Sequence, residues 1–166
     1  MAASDFPVPI DQRYFEDYAE GAVVEYGPIA VSEAEIVEFA RRYDPQPFHV
    51  DAQQAAAGPF RGLIASGWHT AGLMMRLLVD HYLSRVASLG SPGIDELRWL
   101  APVRPGNLLS VRITVIEARR SRSKPDRGMV RSLIEVVNEN GETVMTVKAM
   151  TLVLCRDSSA DLPAAT

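Results

Sequence analysis

Residues 32–86 read SEAEIVEFARRYDPQPFHVDAQQAAAGPFRGLIASGWHTAGLMMRLLVDHYLSRV. From Trp68 to Val86 this stretch has no proline and no glycine after Gly72, so nothing in it breaks a helix. Apolar residues cover most of that helix, and its polar residues form one narrow stripe: His69, Arg76, Asp80 and Ser84. The pattern predicts a buried helix of about 18 residues, roughly 27 Å long. A helix apolar nearly all round must be wrapped by other elements.

The segment before this helix combines an acid and an imidazole. An amphipathic helix is predicted over residues 33–43, after a serine that suits the N-cap position. Pro45 pushes Asp44 out of helical conformation and ends the helix, and Pro47 stiffens the residues that follow. Asp44 and His49 are therefore expected at the two ends of a short, stiff turn.

These groups suit the activation of water beside a carbonyl. An aspartate before proline, or a histidine after an aromatic residue, is more often structural when it occurs alone. Here Asp44 and His49 share one proline-pinned turn just before a helix that begins near Ser66 and Gly67. Catalytic groups need such stiffness, because they must be held near a productive geometry. We interpret Asp44 and His49 as a candidate catalytic pair.

The rest of the chain supplies strands and one short helix. Alternating apolar residues and turn signals, including Asn140-Gly141, predict an antiparallel sheet. An alanine-rich segment predicts a short helix at 51–57. The predicted strands are 23–30, 94–100, 108–118, 129–138 and 142–154.

A basic hairpin tip is predicted at residues 119–128, RRSRSKPDRG. Most such charge runs are solvated hairpin ends. The alternative is an anchor for phosphates, since arginine and lysine suit phosphate contacts. In that case Arg122, Lys124 and Arg127 are the candidate phosphate contacts.

Length and composition bound the class of protein. The 166 residues suit one domain, which we divide into an N-terminal arm (1–19), a main domain (20–156) and a disordered tail (157–166). A net charge of −4 gives no basic field for nucleic acid. The single cysteine, Cys155, allows no intramolecular disulfide and suits a reducing compartment. With no signal segment at the start, we expect a cytoplasmic protein without membrane association.

The chain lacks the common cofactor and metal motifs. It contains no GxGxxG, P-loop, HExxH, CxxC or GxSxG sequence. Three scattered histidines and one cysteine predict no metal site.

Three segments in order resemble the MaoC-like (R)-specific enoyl-CoA hydratases. They are DPQPFH (44–49), GLIASGW (62–68) and RWLAPVRPGNLLSVRITV (98–115). The family pattern is D-x-N-P-x-H followed by H-G-M at the start of the central helix. The resemblance covers about residues 20–155. It departs at Gln46, where asparagine is usual, and at Ser66 and Trp68, where histidine and methionine are usual.

The resemblance implies an α+β hot-dog fold, in which a curved antiparallel sheet wraps a long central helix. It implies that Asp44 and His49 are catalytic, and that Gly67, with Ser66 and Trp68, forms the oxyanion and substrate-binding site. The substrate would be an acyl-CoA or acyl-carrier thioester, with no further cofactor and no metal. The family is usually a homodimer or a dimer of dimers, so the same is expected here.

Two other functions stay open at this point. A hot-dog thioesterase would need its acid on or beside the long helix, where Asp80 lies, although its i,i+4 pairing with Arg76 looks structural. A non-catalytic protein that binds acyl thioesters would explain the departures at Gln46 and Trp68.

Overall fold

The structure is a computed structural model that describes residues 6–157. Five strands form one antiparallel sheet in the order β1-β3-β4-β5-β2. Each strand lies within about two residues of its predicted bounds. The strands are β1 (Val23–Ala30), β2 (Ile94–Trp99), β3 (Leu108–Arg120), β4 (Arg127–Val137) and β5 (Thr143–Leu154). Apart from Asp157, the tail predicted to be disordered lies outside the described residues, as do the first five residues of the arm.

The helices pack against one face of this sheet. Alternate residues of β3 and β4 are buried, as expected for strands with one face on a core. The helices are α1 (Glu33–Tyr43), α2 (Pro47–Val50), α3 (Ala52–Ala57) and α4 (Gly67–Leu77), which continues as a π-helical turn (Leu78–Tyr82). The predicted α+β hot-dog fold is confirmed.

The central helix is shorter and less buried than the sequence predicted. The chain leaves helical conformation at Leu83, not near Val86. Trp68, Met75 and Val79 are 61%, 46% and 48% exposed, so the helix is not buried all round. The physical reason is that one helix face packs into the sheet of its own chain, and no other element of residues 6–157 covers the opposite face. Of the predicted polar stripe, His69 and Ser84 are in fact buried.

The N-terminal arm docks on the far end of the central helix. Arg13, only 2% exposed, donates from all three guanidinium nitrogens to the carbonyl oxygens of Val8, His81 and Tyr82. Tyr18 also donates to the Tyr82 carbonyl, at 2.9 Å. The last carbonyls of the helix therefore find buried donors, which a helix C-terminus needs when water is excluded.

Candidate active site

Asp44 lies at the C-terminus of α1. That helix begins with a capping box, in which Ser32 and Glu35 satisfy each other's backbone N–H groups. Asp44 is its C-cap residue, with extended φ and an N–H that still donates to the Ala40 carbonyl at 2.8 Å. The helix therefore fixes the backbone of the acid and leaves its side chain free to point away from the helix axis.

His49 lies in a one-turn helix, not in the loop predicted from the sequence. Pro47 occupies the first helical position of α2, where its fixed φ and missing N–H are tolerated. The imidazole is 5% exposed, and its Nδ1 lies 2.7 Å from the carbonyl oxygen of Ile64. Because a carbonyl only accepts, Nδ1 carries the proton. In the neutral ring Nε2 is then the acceptor, and it lies 3.3 Å from Oδ2 of Asp44.

The Asp44 carboxylate is held by hydrogen bonds from two side chains. Ser66 donates its hydroxyl to Oδ2 at 2.7 Å, and Gln46 donates from Nε2 to Oδ1 at 2.7 Å. The Ser66 hydrogen bond is the main reason that the pKa of Asp44 lies below its usual value, opposed by partial burial and assisted by Gln46 and His49. Asp44 is thus ionised at neutral pH and can accept a proton.

Ser66 and Gly67 form the start of α4. Ser66 is the N-cap, and its Oγ accepts from the Trp68 N–H at 3.3 Å. The Gly67 N–H belongs to the first turn, whose donors have no acceptor within the helix. A side chain at position 67 would collide with the indole of Trp99, so this close approach requires glycine.

The structure brings four of the eight predicted site residues to one pocket of about 410 Å³. Asp44, His49, Gly67 and Trp68 line it. Ser66 was predicted as a substrate-binding residue, but it is fully buried and lies behind Asp44, away from the pocket wall. The remaining lining comes from Gln46, Phe60, Ile64, Ala65, Thr70, Trp99, Leu100, Ala101, Pro102, Val103 and Val144.

Sequence reasoning missed Trp99 and the Ile64 carbonyl. Trp99 packs edge-on against Trp68, with ring centroids 5.1 Å apart, and forms part of the wall beside Gly67. The sequence signal that could have pointed to Trp99 was its place at the end of a predicted strand, shortly before Pro102. The bond between Ile64 and His49 joins a backbone atom to a side chain fifteen residues away, and no sequence pattern encodes it.

The basic hairpin tip lies far from this pocket in the same chain. It is shorter than predicted, because the strands extend to Arg120 and resume at Arg127. β5 contributes Val144 to the pocket and Leu152 to the groove at the tip, eight residues farther on. At about 3.3 Å per residue, the two regions are roughly 26 Å apart.

Two of the three predicted phosphate contacts at the tip are exposed cations. Arg122 and Lys124 are exposed, whereas Arg127 forms a two-point ion pair with Asp126 at 2.9 and 2.7 Å. This pairing removes much of the charge that Arg127 could offer to a phosphate.

Across residues 6–157, histidine, cysteine and acidic side chains form no group of three that could hold a metal ion. Within the same residues, no helix combines the length and apolar character needed to span a membrane.

The comparison with known families agrees with the geometry. The family model described as "MaoC like domain" matches residues 16–138. The chain belongs to the MaoC-like dehydratase family. A 3-hydroxybutyryl-CoA dehydratase from Methylorubrum extorquens is 32% identical over 136 residues, which are 81% of this chain and 83% of that protein.

Solved structures of MaoC-like proteins share the fold. The crystal structure of a MaoC-like dehydratase from Rhodospirillum rubrum has a TM-score of 0.78 and 39% identity, and covers 87% of this chain and 98% of that one. Unliganded R-hydratase PhaJ1 from Pseudomonas aeruginosa has a TM-score of 0.68 and 25% identity, and covers 92% of this chain and 95% of that one. These three relatives are named as hydratases or dehydratases, which gives the reaction class to be tested.

Proposed function

We propose that this protein is an (R)-specific hydratase or dehydratase of acyl thioesters, which adds water to, or removes it from, the C2–C3 bond. The observation that carries this function is the Asp44–His49 pair, 3.3 Å apart in a pocket at the N-terminus of α4. The names of its relatives support a CoA thioester as the substrate.

The pair is suited to holding one water molecule. Asp44 Oδ2 and His49 Nε2 are both acceptors, because Nδ1 of His49 carries the ring proton. A water that donates one hydrogen to each would direct a lone pair at C3 of a 2-enoyl thioester. Asp44 takes a proton from the water as the oxygen–C3 bond forms. His49 holds the hydroxyl group that adds to C3, receives the proton from Asp44 Oδ2 at Nε2 and delivers it to C2, so that both parts of the water are added and the pair returns to its starting state.

The start of α4 is suited to the enolate oxygen that forms during this step. The Gly67 N–H lies at a helix N-terminus, which carries about half a positive charge. Donors placed where negative charge develops typically lower a barrier by several kcal/mol. Gly67 would therefore bind the thioester oxygen while Asp44 and His49 act at C3.

An apolar cavity farther along α4 suits an acyl chain. This cavity of about 290 Å³ lies between α4 and the sheet, and its lining includes Met74, Leu78, Ile134 and Val147. Thr70 lines the catalytic pocket, and Met74 lies one helical turn beyond it. An acyl chain that enters past Thr70 would therefore bury its apolar end against the core.

We also propose that the protein is a homodimer or a dimer of dimers. The edge strand β2 exposes Ile94 and Trp99, next to the exposed face of α4 formed by Trp68, Met75 and Val79. Contiguous exposed apolar surface of this kind typically marks an interface. Antiparallel pairing of β2 with a second copy about its centre would place Asp95 opposite Arg98 of the other copy.

The same pairing would bring the basic tip of one copy near the pocket of the other. A two-fold axis at β2 reverses the direction of the partner's strands, so its tip lies at the end of the sheet where this chain has its pocket. Arg122 and Lys124 would then contact the phosphates of coenzyme A across the interface, together with Arg127 if its pair with Asp126 opens. Sedimentation that shows a monomer at micromolar concentration would contradict this arrangement.

The structure offers little support for a thioesterase. Asp80 lies thirteen residues beyond Gly67, at the opposite end of the central helix, and pairs with Arg76 at 2.8 Å. A crotonyl-CoA assay that follows the enoyl absorbance, run beside a free-thiol assay, distinguishes the three functions. We expect loss of absorbance without thiol release; thiol release indicates a thioesterase, and no reaction with 2-enoyl thioesters of any length indicates a binding protein.

A further inference from the structure

The hydroxyl of Ser66 occupies a fixed place behind the catalytic acid. Ser66 is 0% exposed, and its one hydroxyl hydrogen is donated to Asp44 Oδ2 at 2.7 Å. Its oxygen accepts from the Trp68 N–H at 3.3 Å. Both partners are set by backbone elements, the end of α1 and the start of α4, so the hydroxyl has one orientation that satisfies both.

We infer that Ser66 is a positioning residue, which orients the Asp44 carboxylate for catalysis. Oδ2, the oxygen that Ser66 holds, is also the oxygen that faces His49 Nε2. Ser66 therefore determines which lone pair of Oδ2 remains for the water. Because Asp44 is the base in the proposed hydration, the catalytic part of this role rests on that function.

Gln46 alone cannot hold the carboxylate in this orientation. Its hydrogen bond to Oδ1 comes from an exposed side chain, only two residues away in sequence. A carboxylate held at one oxygen can still rotate about that contact. The buried bond from Ser66 fixes the second oxygen and links Asp44 to a different helix.

The two helices are also joined independently of Ser66. Phe39 of α1 and His69 of α4 stack with ring centroids 5.0 Å apart and an interplanar angle of 13°. The loss of one hydroxyl should therefore leave α1 and α4 packed, and the effect should stay local to Asp44. For this reason we expect the Ser66 variants to fold.

Loss of the hydroxyl should change how Asp44 titrates. A donor to the charged form lowers the pKa of a carboxyl, so its removal raises the pKa of Asp44. The titratable group that faces Asp44 is His49 from α2, whereas α4 faces it with Ser66. Arg41 and Arg42 of α1 are exposed and remain unchanged in the variants. The acid limb of the rate profile should therefore move to higher pH when Ser66 is replaced.

The test compares two hydroxyl-free variants with a matched control. Ser66→Ala and Ser66→Gly both remove the bond to Asp44, but glycine is the better N-cap, so the two differ in stability and share the catalytic change. Ser32→Ala removes the N-cap serine of α1, which does not contact Asp44. The measurements are kcat and KM for crotonyl-CoA against pH, and titration of the Asp44 carboxyl carbon by NMR.

We expect kcat to fall roughly 10- to 100-fold in both Ser66 variants, with KM nearly unchanged, because a misplaced catalytic group costs rate. Both should show the acid limb and the Asp44 titration at higher pH, and Ser32→Ala should show neither shift. An unchanged Asp44 titration in both Ser66 variants overturns the role of Ser66. If the titration shifts but the wild-type protein hydrates no enoyl thioester, the role of Ser66 stands and the hydratase function fails.

Discussion

The two ends of the central helix differ in how completely their polar groups are satisfied. At the C-terminal end, Arg13 and Tyr18 donate to the last carbonyls from buried positions. At the N-terminal end, the Gly67 N–H has no acceptor within the helix and Gly67 lines the pocket, while Nδ1 of His69 is buried without a hydrogen-bond partner among residues 6–157.

This difference separates the part of the helix that stabilises the fold from the part that can bind a ligand. Complete pairing at one end contributes stability, and groups left available at the other end can bind substrate. Proteins typically break local rules of polar satisfaction at functional sites. We therefore expect substitutions at the N-terminal end to change activity, and those at the C-terminal end to change stability.

The largest effect on activity is expected from Asp44→Asn and His49→Ala. Each should lower kcat/KM for its best substrate by at least about 100-fold, or about 2.7 kcal/mol, the usual scale for loss of a general acid–base group. Circular dichroism should show a folded protein. Asp80→Asn is the matched control, since it changes an acid at the other end of the helix and should leave the rate unchanged. A near wild-type rate in either site variant refutes the assignment.

The largest effect on stability is expected from Arg13→Ala. Loss of the buried donors to three carbonyls should lower the free energy of unfolding by roughly 2 to 4 kcal/mol, with kcat retained. Urea denaturation at one fixed protein concentration measures this change. Arg76→Ala, which removes an exposed ion pair, should cost less than about 1 kcal/mol. Equal losses in the two variants would remove the proposed distinction between the ends.

A smaller effect should appear as a pH dependence of stability at His69. Burial lowers the pKa of His69 below its ordinary value, opposed by the nearby Glu35 carboxylate. The unfolded chain then binds the proton more readily, so stability should fall as pH drops below about 6.5. In His69→Phe, which can keep the stack on Phe39, the melting temperature should fall less between pH 7.5 and 5.5. An identical fall in both proteins would contradict the buried, neutral state of His69.

The smallest effect is expected at the hairpin tip. Replacing Arg122, Lys124 and Arg127 by glutamine should raise KM for a CoA substrate a few-fold and leave kcat nearly unchanged, as expected for loss of uniform binding energy. The effect should shrink at high salt, where exposed charges are screened. A pantetheine thioester, which lacks the nucleotide, should show no change. Equal KM values on the CoA substrate would indicate that the tip is only a solvated hairpin end.

Mixed dimers would show which copy the tip serves. One copy would carry Asp44→Asn with a native tip, and the other would carry the neutralised tip with a native Asp44. If the tip acts across the interface, the one working pocket meets a native tip and keeps the wild-type KM. A raised KM in the mixed dimer would show that the tip serves the pocket of its own chain.

The sequence predicted those features that depend on neighbouring residues. The N-cap at Ser32, the end of α1 before Pro45 and the hairpin turn at Asn140-Gly141 all follow from local chemistry. The five strands follow from the alternation of apolar residues. These local rules were also enough to place Asp44 and His49 close together.

The sequence did not predict contacts between distant residues or the surroundings of the helix. The bond from Ser66 to Asp44 spans 22 residues, and Trp99 packs over Gly67 from the end of β2. The apolar pattern of α4 predicts that both of its faces are buried. The pattern is the same whether a face packs against the sheet of its own chain or against a second copy. This is why the exposure of Trp68, Met75 and Val79 appears only in the structure.

The most direct test of the proposed function is the stereochemistry of hydration by the wild-type protein. Crotonyl-CoA would be the substrate, and the product would be analysed with (R)- and (S)-specific 3-hydroxyacyl dehydrogenases. We expect loss of enoyl absorbance, formation of the (3R)-hydroxybutyryl thioester and no release of free thiol. Formation of the (3S) product, or thiol release without hydration, would contradict the assignment of Asp44, His49 and Gly67 to an (R)-specific hydratase site.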